Sequence, residues 1–130
     1  MPLAIPRLPA PANHLLATLP KAAYLRMQDK LEPVQFTYGQ VLYEPMDTIH
    51  HVYFPLDSLV SLLTAVDAQR NLEVGMVGNE GMVGMPMALG IPVSAVRALV
   101  QGAGSALRMT AANFRAEFKI SPRLQTALLR

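Results

Sequence analysis

A chain of 130 residues that is 52% hydrophobic and 15% charged has the composition of a single folded domain, long enough to bury a core without disulfides or metal. It contains no cysteine, which excludes a disulfide scaffold, thiol catalysis and thiolate metal sites and suits a reducing cytoplasm. Net charge is only +2, with the basic residues scattered apart from a mild excess after Arg97, so charge marks no nucleic-acid face, and no apolar run nears the roughly 20 residues that span a bilayer.

Residues 1–12 read as a proline-rich lead-in around Arg7, without the charged start and unbroken apolar core of a secretory signal. Residues 13–130 read as one folded unit. Asn13 is placed to cap a short helix carrying His14, Leu15, Leu16 and Leu19. Pro20 suits the first turn of a second helix, Lys21 to Leu31, on which Tyr24, Met27 and Leu31 recur at helical spacing and are expected to face a core. Pro33 is expected to end it.

From there the period shortens. Val34, Phe36 and Tyr38 alternate with Gln35 and Thr37, as on a strand with one buried face. Gly39 interrupts, and Val41 to Tyr43 resumes. Glu44 to Asp47 is a turn before the short strand His51 to Phe54. A long strand, Leu59 to Val66, is expected to meet Leu72 to Val77 across a polar loop, Asp67 to Asn71. The stretch Gly78 to Gly90 is too glycine-rich for a regular element. Two further strands, Ala95 to Gln101 and Ser105 to Met109, are joined by Gly102-Ala103-Gly104. Thr110 then caps a helix with Phe114 and Phe118 one turn apart, and Ser121-Pro122 opens another with Leu124 and Leu128. Helices, seven or eight short strands, then helices predict a mainly β domain: an antiparallel β-roll or jelly-roll flanked by N- and C-terminal helices.

Chemistry is concentrated in one place. Gly78, Gly81 and Gly84 around Glu80 suit a phosphate cradle, because glycines let backbone N–H groups approach an anion closely. The same residues also suit a tight turn at a corner of the roll, with Glu80 as a solvated or capping carboxylate. Arg97, between Val96 and Ala98, is either an inward clamp or, as is more usual, a solvent-facing residue. His50 and His51 near Asp47 suggest a metal, yet adjacent strand residues point to opposite faces and do not converge. A cupin-like metal enzyme needs several converging histidines and glutamates, so it stands as a remote alternative, and no catalytic residue is assigned. The eight methionines are read as flexible core filler, with a methionine-lined pocket as the alternative.

Three stretches, in order, resemble the cyclic-nucleotide-binding domain of the Crp–Fnr family of transcription regulators. They are Gly39 to Asp47 followed by Val52-Tyr53-Phe54, then Leu72 to Gly84, then Phe114 through Pro122 to Leu128. The resemblance spans roughly Asn13 to Arg130. Met46 and Ser58 stand where the family has turn glycines. It implies a ligand site at Gly78, Asn79, Glu80, Gly81, Met82 and Val83, for a small effector such as cAMP or cGMP, with Glu80 on the ribose. The family's phosphate-binding arginine falls on Ser94, and the nearest arginine, Arg97, lies three residues further on. Loss of that clamp removes a charge-assisted bond worth roughly 1.5–3 kcal/mol.

The resemblance further implies a cytoplasmic sensory and regulatory domain, not an enzyme, that forms a homodimer through a C-terminal helix. Leu124, Leu128 and Leu129 are expected to leave an exposed apolar stripe there. DNA would be met only through a helix-turn-helix domain of roughly 60–80 residues beyond Arg130. The alternative is a ligand-less dimerisation module with a degenerate cassette.

Overall fold

The computed structural model describes residues 13–128, so the proline-rich lead-in and Leu129 lie outside the described residues. Seven strands form two antiparallel sheets. One, in the order β1-β7-β3, joins β1 (Glu32–Phe36), β7 (Gly104–Thr110) and β3 (His51–Pro55). The other, in the order β2-β6-β4-β5, joins β2 (Val41–Tyr43), β6 (Arg97–Gly102), β4 (Leu59–Asp67) and β5 (Arg70–Val77). Helices α1 (His14–Ala17) and α2 (Lys21–Gln28) precede the roll, and α3 (Ala111–Ile120) and α4 (Pro122–Leu128) follow it. The expected mainly β roll flanked by helices is the observed architecture. Phe36, Val52, Phe54, Leu107 and Met109 from the first sheet share one core with Tyr43, Val60, Ala98 and Val100 from the second.

The helix ends follow local chemistry. The Asn13 side chain accepts a hydrogen bond from the Leu16 N–H, as an N-cap should. Pro20 stands at the N-cap of α2, one position before the expected first turn, and its carbonyl accepts from the Tyr24 N–H at 3.0 Å. Pro33 lies inside β1 instead of closing α2. A proline is tolerated there because β1 is an edge strand, where a missing N–H breaks no inner ladder. Tyr38 is 75% exposed, contrary to the alternating pattern, because the chain leaves β1 after Phe36 and turns at Gly39, whose φ is 83°. The hairpin between β4 and β5 is tighter than the expected loop, with Asp67 paired to Arg70.

Two turns bear on the missing glycines. Met46 keeps a left-handed φ of 74° although it is not glycine, while Ser58 is not at positive φ and its hydroxyl donates to the Ser105 carbonyl at 2.9 Å. A non-glycine residue held at positive φ costs roughly 1–2 kcal/mol. Met46 is exposed and its side chain contributes little packing. Met46→Gly is therefore expected to raise the unfolding free energy by about 1 kcal/mol in urea titrations.

Leu124 and Leu128 are buried in the chain's own core, which corrects their assignment to an exposed stripe. The reason lies in how the last helices fold back. The α3 helix, capped by Thr110, and α4, whose Leu124 N–H donates to the Ser121 hydroxyl, both pack on a short 3₁₀ helix at Met85–Leu89. Phe114, with no exposed surface, stacks on Phe118, and the buried carboxylate of Glu117 takes the Arg26 guanidinium at 2.8 Å, fixing α2 to α3.

Candidate functional site

The glycine-rich loop between β5 and the 3₁₀ helix is occupied by its own bonds. The Gly78 N–H donates to both carboxylate oxygens of Glu80, at 3.1 and 3.2 Å, so Glu80 folds back on its own turn. The Gly81 N–H donates to the Gly78 carbonyl at 3.3 Å. The Asn79 carbonyl accepts from the His14 N–H, and the Gly81 carbonyl accepts from the Asn13 amide at 2.8 Å, which ties the loop to the start of α1. Met82 and Val83 are core residues, and Val83 forms a two-bond bridge with Tyr53. Of the N–H groups that a phosphate cradle requires, those of Gly78 and Gly81 already have partners within the loop.

Ser94 is equally engaged. It is buried, its N–H donates to the Asp47 carbonyl, and its carbonyl accepts from the Met46 N–H. Its hydroxyl donates to the Val96 carbonyl at 2.7 Å and accepts from the Val96 N–H at 3.3 Å. Arg97 opens β6. Its neighbours Ala98 and Val100 are fully buried, so Arg97 is on the outer face of that strand with its guanidinium on Glu44 at 2.8 Å. The structure thus brings Met82, Val83 and Ser94 together and leaves Glu80 and Arg97 elsewhere.

Those three residues line a partly open pocket of about 100 Å³ in the roll, with Tyr43, Leu62, Val77, Gly84, Met85, Pro86 and Val96 completing its wall. Among the described residues no charged side chain lines it. Its polar groups are few and committed: the Tyr43 hydroxyl donates to the His51 carbonyl, and burial pushes that hydroxyl well above its ordinary range, keeping it neutral. Tyr43, Leu62, Val77 and Val96 were not picked out as site residues, because nothing in their spacing relates strands that meet only in the fold.

Two larger concavities lie outside the roll. One, of about 440 Å³, places Glu80 beside His14, Thr18, Arg123 and Thr126. The other, of about 390 Å³, is lined by Asp47, Thr48, His50, His51 and Tyr53. Among the described residues no three histidine, aspartate or glutamate side chains are grouped to hold a metal ion. Burial and the Arg108 guanidinium hold His51 below its ordinary 6.5, against a smaller opposing pull from Glu32 and with a further push from His50. The unfolded chain therefore binds a proton more readily than the folded one. Stability is full above the ordinary value and falls as pH drops through it towards the folded value. Thermal unfolding between pH 7.5 and 5.5 is expected to show this decline, and His51→Gln to reduce it.

No protein-family model matches the sequence, and no curated protein matches it. Solved structures do match the fold. The N-terminal domain of a transcriptional regulator from Streptomyces coelicolor aligns at a TM-score of 0.71 and 16% identity over 94% of this chain and 86% of that one. The regulatory subunit of a cAMP-independent protein kinase A from Trypanosoma brucei, a mutant bound to cAMP in its A site, aligns at 0.78 and 16% over 93% of this chain and 43% of that one. The catabolite activator protein of Thermus thermophilus aligns at 0.73 and 13% over 88% of this chain and 54% of that one. The chain spans about half the length of these last two. It has the β-roll fold of cyclic-nucleotide-binding domains and Crp–Fnr-type regulators. Among the described residues no helix is long and apolar enough to cross a membrane.

Proposed function

We propose that this chain is the sensory and regulatory domain of a Crp–Fnr-type transcription regulator, with a β-roll pocket that does not take a cyclic nucleotide. The regulatory part of the reading is supported by the shared fold, whose solved examples include a transcriptional regulator and a kinase regulatory subunit. The observation that carries the rest is that, among the described residues, neither a carboxylate nor a cation reaches the cavity. Glu80 is turned onto Gly78, and Arg97 is on the opposite side of its strand from Ala98 and Val100. A register slip of β6 does not recruit Arg97 without turning buried Ala98 and Val100 out to solvent. The cavity is also small, about 100 Å³ where drug-sized ligands occupy roughly 300–1,000 Å³.

A route for a signal exists. Met85 and Pro86 line the cavity and belong to the 3₁₀ helix on which α3 and α4 pack, so a displaced cavity wall moves the C-terminal helices. In this reading the output is control of DNA binding, and a homodimer would form through surface other than Leu124 and Leu128, which the chain itself buries. The internal satisfaction of Gly78 and Ser94 equally favours a ligand-less interaction module as the second reading.

Calorimetric titration with cAMP and cGMP tests the proposal. The expected result is no saturable heat up to millimolar nucleotide, since one lost charge-assisted bond alone removes about one to two decades of affinity. Saturable micromolar binding that disappears in Glu80→Ala would overturn it.

A further inference from the structure

Resting on the reading that the roll is a sensor without a nucleotide site, we infer that its cavity is a receptor for a small, neutral, apolar molecule. The wall supplies the chemistry. Leu62, Val77, Met82, Val83 and Val96 give aliphatic or thioether surface, and among the described residues no charged group lines the cavity. The Ser94 and Tyr43 hydroxyls both donate to backbone carbonyls, so they leave no free donor to hold water or an anion. Such a wall offers water few partners and favours apolar guests over hydrated ones. Charged or strongly hydrated ligands would lose their water there without replacement.

The wall is also adaptable on one side. Met82 is buried, whereas Met85 is 37% exposed while still lining the cavity, so one methionine side chain reaches from the interior to solvent. Methionine re-packs at low cost, having three rotatable bonds and a polarisable sulfur. The wall is stiff at Gly84, which packs so closely on Val52 and the Tyr43 hydroxyl that a Cβ there has no room. A guest therefore pushes outward on the Met85–Leu89 helix, the segment that bears on α3 and α4.

The test uses the full chain with 13C-labelled methionine methyls, and benzene and xenon as probes. The expected result is a saturable shift of the Met82 and Met85 methyls with either probe. Val96→Phe, which fills the cavity from its half-buried rim, is expected to weaken binding at least tenfold; Leu62→Phe serves if that variant does not fold. Shifts that stay linear with both probes, or saturable binding unchanged in a folded filled variant, would overturn the inference. A parallel titration with cAMP separates the two levels. Saturable cAMP shifts at these methyls sink the non-nucleotide reading itself, while silence from benzene and xenon together with silence from cAMP sinks only the apolar-receptor inference.

Discussion

Asn13→Ala is expected to lower the unfolding free energy by about 3–5 kcal/mol, measured by urea denaturation. The size comes from three bonds made by one fully buried side chain. Its oxygen accepts from the Leu16 N–H at 3.1 Å, and its amide donates to the Pro55 carbonyl at 2.9 Å and the Gly81 carbonyl at 2.8 Å. Loss of an N-cap costs roughly 1 kcal/mol. Each carbonyl left without its partner adds about 1–2 kcal/mol, the lower part of the usual cost because a carbonyl keeps a second lone pair. Asn13→Ser restores only the cap and is expected to recover about 1 kcal/mol. Asn13→Asp keeps the cap but sets a carboxylate against two carbonyl oxygens, so it should not rescue the fold. A loss near 1 kcal/mol for alanine would mean that the two carbonyls find other donors. The loop would then be held to α1 by the backbone bond from the His14 N–H to the Asn79 carbonyl without help from Asn13.

Asn13 also shows how far sequence reading reaches. Its capping role follows from its position before an apolar run, but its amide bonds join the start of α1 to residues 42 and 68 positions away, which no local pattern encodes. The same division holds across the molecule. Alternation located strands because burial on one face is a local property, visible at Ala98 and Val100 on either side of half-buried Leu99. It failed at Tyr38, where a turn ends the strand two residues early, and at Pro33, where only the sheet order shows that the strand is an edge.

The site was less legible still. Glu80 and Arg97 are of the right chemical type and lie near the right positions, yet the direction of each is set by structure that spacing does not report. A two-residue turn returns Glu80 to Gly78, and the pairing of β6 with β4 fixes which side Arg97 takes. Leu124 and Leu128 were recognisable as an apolar helix face; that the chain itself covers it depends on how α4 folds back on the 3₁₀ helix. The cavity draws on five separate segments, from Tyr43 to Val96, and so has no contiguous signature.

The second large effect is expected at Gly84, where backbone and packing constraints coincide. Gly84 and Gly90 bound the same 3₁₀ helix, and both hold positive φ, 110° and 77°. They differ in surroundings. A Cβ on Gly90 meets nothing within 4 Å, whereas one on Gly84 lies 2.8 Å from the Val52 Cγ1 and 3.0 Å from the Tyr43 hydroxyl oxygen. Gly90→Ala should thus show the left-handed penalty alone, about 1–2 kcal/mol. Gly84→Ala adds overpacking of a further 1–3 kcal/mol or so, giving about 2–5 kcal/mol in the same urea titration. The difference between the two variants isolates the close contact from the backbone term. Because Val52 is fully buried and Tyr43 bonds to the His51 carbonyl, neither neighbour withdraws without disturbing β3. The strain then passes to Met85 and Pro86, and the cavity wall shifts with them. Equal losses in the two variants would show instead that the Val52 side of the wall yields, and that the rigid backing assigned to the cavity is absent.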